Sequence, residues 1–211
     1  MNTSTGRKSA RAEDRKTPIV RLVIFQKQLF EPRANERGVL KYGCTLLFPK
    51  SADMTDFRRD AEKVALEMWG ETKVKNLVAA GGLKSPFLDG DGPQAVNKKS
   101  GQRYEGFAGH TFLRVTANDK PKLYDRNVMP AGPDVIYSGC YGYAVINAFT
   151  WEDSRSGCGI SFGISMFQFA KDGERLAGGE PDPEQFFERI ADEGAAPAAT
   201  KTGAGAGGLF G

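Results

Sequence analysis

Two neighbouring segments of alternating polarity, residues 135–146 and 159–169, constrain the fold more than any other part of the sequence. Side chains of a β-strand point alternately to its two faces, so a segment in which every second residue is apolar predicts a strand with one side in the core. Both segments have this pattern, and residues 151–157 between them are typical of a turn. The sequence therefore predicts two consecutive strands, each with a core-facing side and an outer side.

The outer side of the first predicted strand is aromatic, because it carries Tyr137, Tyr141 and Tyr143 and is interrupted only by Gly139. Such rings can stack on nucleobases, at roughly 1–3 kcal/mol per base and without sequence preference. They can equally cover a helix or a second subunit, and the spacing alone leaves both interpretations open. The opposite side is aliphatic and is predicted to enter the core through Ile136, Cys140, Ala144 and Ile146.

The outer side of the second predicted strand carries only glycine and serine over residues 159–165. Small residues allow another chain to approach a sheet closely, and that chain can be nucleic acid or packed protein. The opposite side is predicted to belong to the core through Ile160, Phe162, Ile164 and Met166.

Three further strands are predicted at residues 18–30, 39–48 and 107–115. The first two are separated by a basic loop of moderate length and are expected to form a hairpin. A segment rich in glycine, proline and aspartate, residues 81–105, precedes the third strand. Loops of this length in compact domains are usually functional or mobile.

Helical spacing of apolar residues predicts a helix over residues 53–69, which Gly70 ends. A second, weaker pattern predicts a helix at about residues 72–80, and a third predicts a short helix over residues 181–190. The buried side of the first helix is predicted to consist of Phe57, Ala61, Val64, Ala65 and Met68.

The order of these elements lacks the βαβ alternation that a parallel sheet requires, so the fold class is mainly β, a mostly antiparallel barrel with inserted helices. This barrel is assigned to residues 18–178. Residues 1–17 are polar and without periodicity, which predicts a disordered basic arm. Residues 179–211 are first acidic and then rich in glycine and alanine, which predicts a flexible tail.

The 211 residues carry a net charge of +3, which permits nucleic-acid binding without requiring it. The distribution is more informative, because basic residues are dense in residues 7–16, 27–50 and 98–122, whereas acidic residues gather in residues 174–193. Basic residues interleaved with aromatic ones suit a groove that follows a phosphate backbone, although any single lysine is also an ordinary surface residue. The candidate nucleic-acid-binding residues of the basic loops are Arg33, Arg37, Lys41, Lys50, Lys98, Lys99, Arg103, Tyr104 and Phe107.

Catalytic and metal-binding signals are weak. The only histidine is His110, and the sequence contains no C-x-x-C pair, phosphate-binding loop or dinucleotide fingerprint. Asp89, Asp91, Asp119 and Asp125 could bind a metal ion, but the Asp-Gly-Asp-Gly sequence that contains the first two is ordinary turn chemistry. We therefore expect no enzymatic activity, no metal ion and no cofactor. Buried free thiols are expected at the three cysteines, Cys44, Cys140 and Cys158.

No secretory signal or membrane-spanning segment is recognisable in the sequence, so we expect a cytoplasmic protein without a membrane partner.

Several segments in this order resemble the phage single-stranded DNA-binding proteins of the DUF2815, or Enc34-like, family. They are residues 30–35, residues 41–50, residues 136–141, and residues 159–163 leading to Gln168 and Asp172. The resemblance covers most of residues 20–178. It implies an OB-fold that binds single-stranded DNA during phage replication or recombination, in the cytoplasm of the host.

Tyr42, Tyr137 and Tyr141 lie within the matching segments, so the resemblance supports them as candidate DNA-binding residues. It implies single-stranded DNA as the partner, with replication or recombination proteins recruited through the tail and a homo-oligomer as further expectations. The end of the chain departs from other single-strand binders, because its acidic residues lie earlier and the last five residues are neutral Gly-Gly-Leu-Phe-Gly.

Two other functions stay open from the residues themselves. The chain can be a phage structural or interaction module that uses the tyrosine face as an oligomer interface. It can also be a magnesium-dependent nuclease that uses its clustered aspartates.

Overall fold

The structure, a computed structural model, describes residues 9–35 and 37–176. Within these residues the chain forms ten strands, one α-helix and a short 3-10 helix at Pro93–Ala95. In chain order the strands and the α-helix are β1 (Arg15–Lys16), β2 (Val20–Val23), β3 (Arg33–Ala34), β4 (Leu40–Pro49), α1 (Thr55–Ala79), β5 (Leu83–Lys84), β6 (Leu88–Asp89), β7 (His110–Ala117), β8 (Lys122–Tyr124), β9 (Tyr141–Asp153) and β10 (Gly157–Lys171).

Five of the strands close into a barrel in the order β2, β4, β7, β10, β9 and back to β2. The pairing of β7 with β10 is parallel, and the other four pairings of the barrel are antiparallel. This is the connectivity of an OB-fold, so the predicted mainly β barrel is confirmed. The five remaining short strands pair with barrel strands: β1 with β9, β3 with β4, β6 with β7, and both β5 and β8 with β10.

The predicted inward side of β9 is confirmed, because Ala144, Ile146 and Ala148 are fully buried. The strand begins only at Tyr141, however. Gly139 lies in the turn that precedes the strand. Its φ of +111° is a value that residues with a side chain rarely adopt. Tyr137 therefore does not belong to the strand, and the tyrosine face contains two rings rather than three.

In β10 the predicted alternation holds for Ile160, Phe162 and Ile164, which are buried. A β-bulge between Ile164 and Met166 then shifts the register against β9. A bulge inserts one extra residue, so the side chains that point into the barrel are those at even positions before it and at odd positions after it. Met166 is consequently only half-buried, and the prediction that it belongs to the core is wrong; Phe167 enters the core instead.

The helix predictions are largely confirmed. The helical segment α1 spans Thr55–Ala79, but Gly70 inside it has φ 72° and ψ 159°, which divides it into the two predicted helices. Phe57, Ala61, Val64 and Ala65 are buried as expected, whereas Trp69 replaces Met68 at the end of the buried side. The third predicted helix, residues 181–190, lies outside the described residues.

Residues 9–17 are ordered against the barrel, which corrects the prediction of a disordered arm for this part of it. Arg15 and Lys16 pair with β9, Arg11 forms an isolated bridge with Phe149, and Ala10 is 6% exposed. β2 pairs only with the start of β9, at residues 141 and 142. The N-terminal segment provides hydrogen-bond partners for the backbone of β9 beyond that point. Residues 1–8 and the predicted tail, 179–211, lie outside the described part of the chain.

A second apolar cluster lies on the outer surface of the barrel, apart from the main core. The outward side chains of Val23, Leu47 and Phe112, on β2, β4 and β7, are covered by loop residues, chiefly Phe107, and by Leu176. The long loop between β6 and β7 is therefore packed down as a second layer and is not a free connection. Its contacts decide which of the predicted aromatic residues remain accessible.

Candidate nucleic-acid interface

Two outward tyrosines on β9, each accompanied by cations, form what we call the tyrosine strip: Tyr141 and Tyr143 with Lys16, Arg21 and Lys171. The Lys171 Nζ lies 4.9 Å from the centroid of the Tyr141 ring, and the Arg21 guanidinium carbon lies 5.7 Å from it. The Lys16 Nζ lies 4.3 Å from the centroid of Tyr143. Both rings are half-buried, so each keeps accessible surface beside a positive charge.

Tyr137 has a different environment. Its hydroxyl lies 3.0 Å from Asp172 Oδ1 and accepts the N–H of Gly173 at 3.1 Å, while the Arg175 guanidinium carbon lies 4.2 Å from its ring centroid. Burial, the main cause, and the carboxylate of Asp172 raise the pKa of the phenol. Tyr137 therefore contacts the segment that follows β10 and is not one of the two outward tyrosines of β9.

The segment after β10 also borders the tyrosine strip. Arg21 donates hydrogen bonds to the carbonyl oxygens of Gly139 and Glu174, at 3.3 and 2.9 Å. A Cβ at Gly173 would lie 2.7 Å from the ring of Tyr141, so only glycine permits this close approach. Arg21 is thereby held beside the Tyr141 ring by backbone acceptors.

The predicted interface residues of the long loop are arranged differently. Phe107 is 1% exposed, with its ring centroid 4.9 Å from that of Phe112 and 5.4 Å from that of Tyr104. A ring without an accessible face cannot stack on a base, so the assignment of Phe107 to the interface is wrong. Tyr104 is half-buried and packs edge-on against Phe25 at 5.2 Å. Arg103 bonds the carbonyl oxygen of Gly90.

Lys50 is compensated by two carboxylates of the same layer. Its Nζ lies 2.9 Å from Asp89 Oδ1 and 2.6 Å from Asp91 Oδ2. The backbone N–H of Asp91 and then Lys50 lower the pKa of Asp89, while Lys50 and then the N–H of Gly109 lower that of Asp91. The charge of Lys50 is therefore neutralised within the protein, which weakens its assignment to phosphate binding.

The basic residues of the β2–β4 connection are spread over separate contacts. Arg37 pairs with Asp153 at 2.5 Å, which joins this connection to the tip of the β9–β10 hairpin. Arg33 donates to the carbonyl oxygen of Gln26 at 2.8 Å, and Lys41 bonds Asn118. Loops before β4 and between β9 and β10 commonly border the binding face of OB-folds, and here they are in contact.

Three other predicted residues, Lys98, Lys99 and Tyr42, lie outside the tyrosine strip. Lys98 and Lys99 are exposed in the turn over residues 97–101. Tyr42 is half-buried. It lies two residues before the buried Cys44 on β4, so both side chains are on the inner side of the strand. It is not on the side of β4 that carries Lys41.

A groove of about 460 Å³ crosses the outer side of β7, β10 and β9 and was not predicted as a site. We call it the basic groove. Its floor includes Gly163 and Ser165, and the described lining residues carry four cations and one carboxylate, that of Asp119. The predicted small face of β10 was the signal that could have located it. Its cations are Arg11, Lys41, Lys120 and Lys122.

The remaining candidates for chemistry are the acidic residues, the histidine and the cysteines. No group of three or more His, Cys, Asp or Glu side chains among the described residues could hold a metal ion. The Nδ1 of His110 lies 2.8 Å from the carbonyl oxygen of Ala108. All three cysteines are buried free thiols, as predicted, and burial raises the pKa of Cys140 to about 11. No described helix is long and apolar enough to cross a membrane.

Comparison with known proteins agrees with this geometry. A family model described as "Enterobacter phage Enc34, ssDNA-binding protein" matches residues 16–196. Protein p50 of Acyrthosiphon pisum secondary endosymbiont phage 1 is 29% identical over 160 residues, which are 72% of this chain and 81% of that protein.

Two solved structures of the single-stranded DNA-binding protein from bacteriophage Enc34 are similar in fold, each at 20% identity. The structure of its complex with single-stranded DNA has a TM-score of 0.56 and covers 81% of this chain and 99% of that one. The structure of the protein alone has a TM-score of 0.55 and covers 84% of this chain and 97% of that one.

Proposed function

Because this chain belongs to the Enterobacter phage Enc34 ssDNA-binding protein family, we propose that it binds single-stranded DNA without sequence specificity and protects it during phage replication or recombination. The observation that carries the proposal is the tyrosine strip, in which Tyr141 and Tyr143 lie on the outer side of a closed OB-like barrel beside three cations. Sequence-independent binding needs this combination of aromatic rings and positive charge.

The chemistry of the strip explains why the sequence of the DNA would matter little. Every base has a π-face, so a tyrosine ring stacks on any of them, while a neighbouring ammonium group attracts the phosphate. Lys16 and Lys171 are exposed and lie beside the two rings. A strand that places bases on Tyr141 and Tyr143 therefore meets a cation at each position.

The basic groove extends this surface along the same two strands. Asn147 and Gly163 face each other across β9 and β10, as do Tyr143 and Gln168 nearer the strip. Asp14 lies between the two regions, where it accepts hydrogen bonds from Asn147 and Ser165. A bound strand would pass from the tyrosine strip to the basic groove over this point.

Fluorescence anisotropy of labelled oligo-dT, titrated with the full chain at several salt concentrations, tests the proposal. We expect binding that weakens steeply with salt, because a protein that neutralises phosphates releases their counterions. Oligo-dA and oligo-dC should bind with similar affinity, and poly-U as competitor measures the preference for DNA. Absence of binding at low salt would refute the proposal.

A pair of matched double variants locates the contact. Lys16→Gln with Lys171→Gln removes two charges from the tyrosine strip, whereas Lys63→Gln with Lys75→Gln removes two exposed charges from α1. Each lost phosphate contact should lower the slope of log K against log salt by about 0.7. Only the strip variant should show this change; equal slopes in both variants would mean that net charge, and not the strip, directs binding.

Light scattering tests the remaining partner predictions. If the tyrosine strip were an oligomer interface, the full chain would form a concentration-dependent oligomer that Tyr141→Ala abolishes and that single-stranded DNA leaves unchanged. Recruitment of replication or recombination proteins by residues 179–211 stays a prediction, since residues 177–211 lie outside the described part of the chain. Magnesium-dependent loss of a labelled oligonucleotide would reveal nuclease activity.

A further inference from the structure

Tyr124, on the short strand β8, is an outward tyrosine that does not belong to the tyrosine strip. β8 pairs in parallel with β10, where Tyr124 lies opposite Gln168, and Gln168 in turn lies opposite Tyr143 on β9. Residues in register on neighbouring strands point to the same side of a sheet. The three side chains therefore form one row across β9, β10 and β8, on the side of the sheet that carries the tyrosine strip.

The burial of β8 agrees with this direction. Leu123 is 7% exposed and belongs to the core, whereas its neighbours Lys122 and Tyr124 are exposed and half-buried. The ring of Tyr124 is thus accessible to the same degree as that of Tyr143, which is also half-buried. Lys122 is one of the cations of the basic groove. Tyr124 therefore lies beside this groove and in register with the strip.

The turn that follows Tyr124 is fixed by its own hydrogen bonds. The Oδ1 of Asp125 accepts the backbone N–H groups of Asn127 and Met129, each at 2.8 Å. Between them Val128 has a φ of +62°, a strained value for a β-branched residue, which persists only where the surroundings determine the conformation. The position of the tyrosine is consequently set before any ligand binds, which lowers the cost of ordering it on binding.

We propose that Tyr124 stacks on a base of the same single strand that Tyr143 holds, with a neighbouring phosphate against Lys122. The backbones of β9 and β8 are two strand spacings apart, roughly 10 Å. Neighbouring bases along one strand of a duplex are only about 3.4 Å apart. The bases on the two rings are therefore not neighbours, and the nucleotide between them crosses Gln168. This inference rests on the proposed single-stranded DNA binding and adds a third stacking position to it.

The third position has a dependence on oligonucleotide length that a structural role of Tyr124 would not produce. Tyr124→Leu keeps an apolar side chain but has no aromatic plane. With oligo-dT of about 16 nucleotides, the upper site size of an OB-fold, we expect binding about fivefold to 150-fold weaker, the loss for one stacked base. The shortest oligo-dT that the wild type binds should lose much less, because it can occupy Tyr141 and Tyr143 alone.

Three further variants complete the test. Tyr124→Phe keeps the ring and should bind as the wild type does. Met129→Ala, at a residue that is 60% exposed in the same turn, is the matched control and should also bind normally. Lys122→Gln should lower the slope of log K against log salt by about 0.7 with the long strand. Urea unfolding shows that each variant is folded before affinities are compared.

The outcomes separate the two proposals. Wild-type affinity of Tyr124→Leu for the long strand would overturn the third stacking position and leave the tyrosine strip intact. An equal loss at every length, or a similar loss in Tyr124→Phe or Met129→Ala, would also overturn it, because a general disturbance of the turn would then explain the effect. An unchanged salt slope in Lys122→Gln would overturn the phosphate contact. Failure of the wild type to bind any of these strands would overturn single-stranded DNA binding itself.

Discussion

Two regions of this chain combine aromatic and basic residues, and the fold uses them in opposite ways. In the tyrosine strip, Tyr141 and Tyr143 remain on the outer side of β9 with cations beside their rings. In the long loop before β7, Tyr104 and Phe107 turn inward and cover the barrel, while the lysines of the same loop remain outside. Similar composition therefore produces a candidate binding surface in one region and a second apolar cluster in the other.

The difference arises from what each region packs against. The outer sides of β2, β4 and β7 present the apolar residues Val23, Leu47 and Phe112, which must be covered, and the loop covers them. The outer side of β9 presents tyrosines whose cross-strand partners on β10 are polar: Gln168 lies opposite Tyr143, and Lys171 lies opposite Tyr141. It needs no second layer, so its rings keep accessible faces.

Removal of the buried ring should have the largest effect. Phe107→Ala deletes the fully buried centre of the second cluster, and we expect a loss of about 3–5 kcal/mol in the free energy of unfolding. Urea unfolding measures it. The folded variant should still bind oligo-dT, because the ring has no exposed face; a large loss of affinity with unchanged stability would reverse the distinction between the two regions.

Removal of the exposed rings should act on binding instead. Tyr141→Ala with Tyr143→Ala is expected to weaken single-stranded DNA binding by roughly 1–3 kcal/mol for each base that loses its stacking partner. The melting temperature should change little, because both rings are half-buried. Anisotropy titration and thermal melting are measured on the same preparation, and a collapse in stability would assign these rings to the core.

The loop lysines provide a smaller contrast. Lys98→Gln with Lys99→Gln removes two exposed charges beside the second cluster. If the tyrosine strip carries the binding, the salt slope for oligo-dT should stay within error of the wild type, in contrast to the strip variant with Lys16 and Lys171 replaced. A decrease of about 0.7 per residue would show that the loop also contacts phosphates.

Acid should affect the loop layer weakly and selectively. The pKa values of Asp89 and Asp91 are lowered from 3.8 in the folded chain, so their contribution to stability is present above that value and is lost as the pH falls through the folded values. Unfolding measured from neutral pH to pH 2 should show this loss. Lys50→Met removes a shared partner of both carboxylates and should flatten the acid limb; an unchanged pH profile would show that the cluster contributes nothing.

Much of the fold could be predicted because its signals are local. Alternation predicted β4, β7, β9 and β10, and the break at Gly70 separated the two helices correctly. Errors occurred where one residue changed the geometry. Gly139, with its positive φ, removed Tyr137 from the tyrosine face, and the bulge in β10 moved Met166 out of the core.

The candidate site was predicted less completely, because its members are distant in the sequence. Tyr141 and Tyr143 were identified from their spacing, but the cation beside Tyr143 comes from Lys16, in a segment predicted to be disordered. The basic groove unites Arg11, Lys41 and Lys120 with the small face of β10. No local pattern indicates that these residues share a surface.

The sequence by itself determined a β-rich barrel with an inserted broken helix and a strand that carries tyrosines opposite a core-facing side, since a two-residue alternation and a glycine break act within one element. Only the tertiary structure decided which aromatic residues stay exposed. Closure of the barrel leaves apolar side chains on the outer surface of three strands, and the loop that buries them must use its own rings to do so. The same closure brings distant cations to the outer side of β9 and β10, where no residue of ranges 9–35 and 37–176 buries the two rings of the tyrosine strip completely.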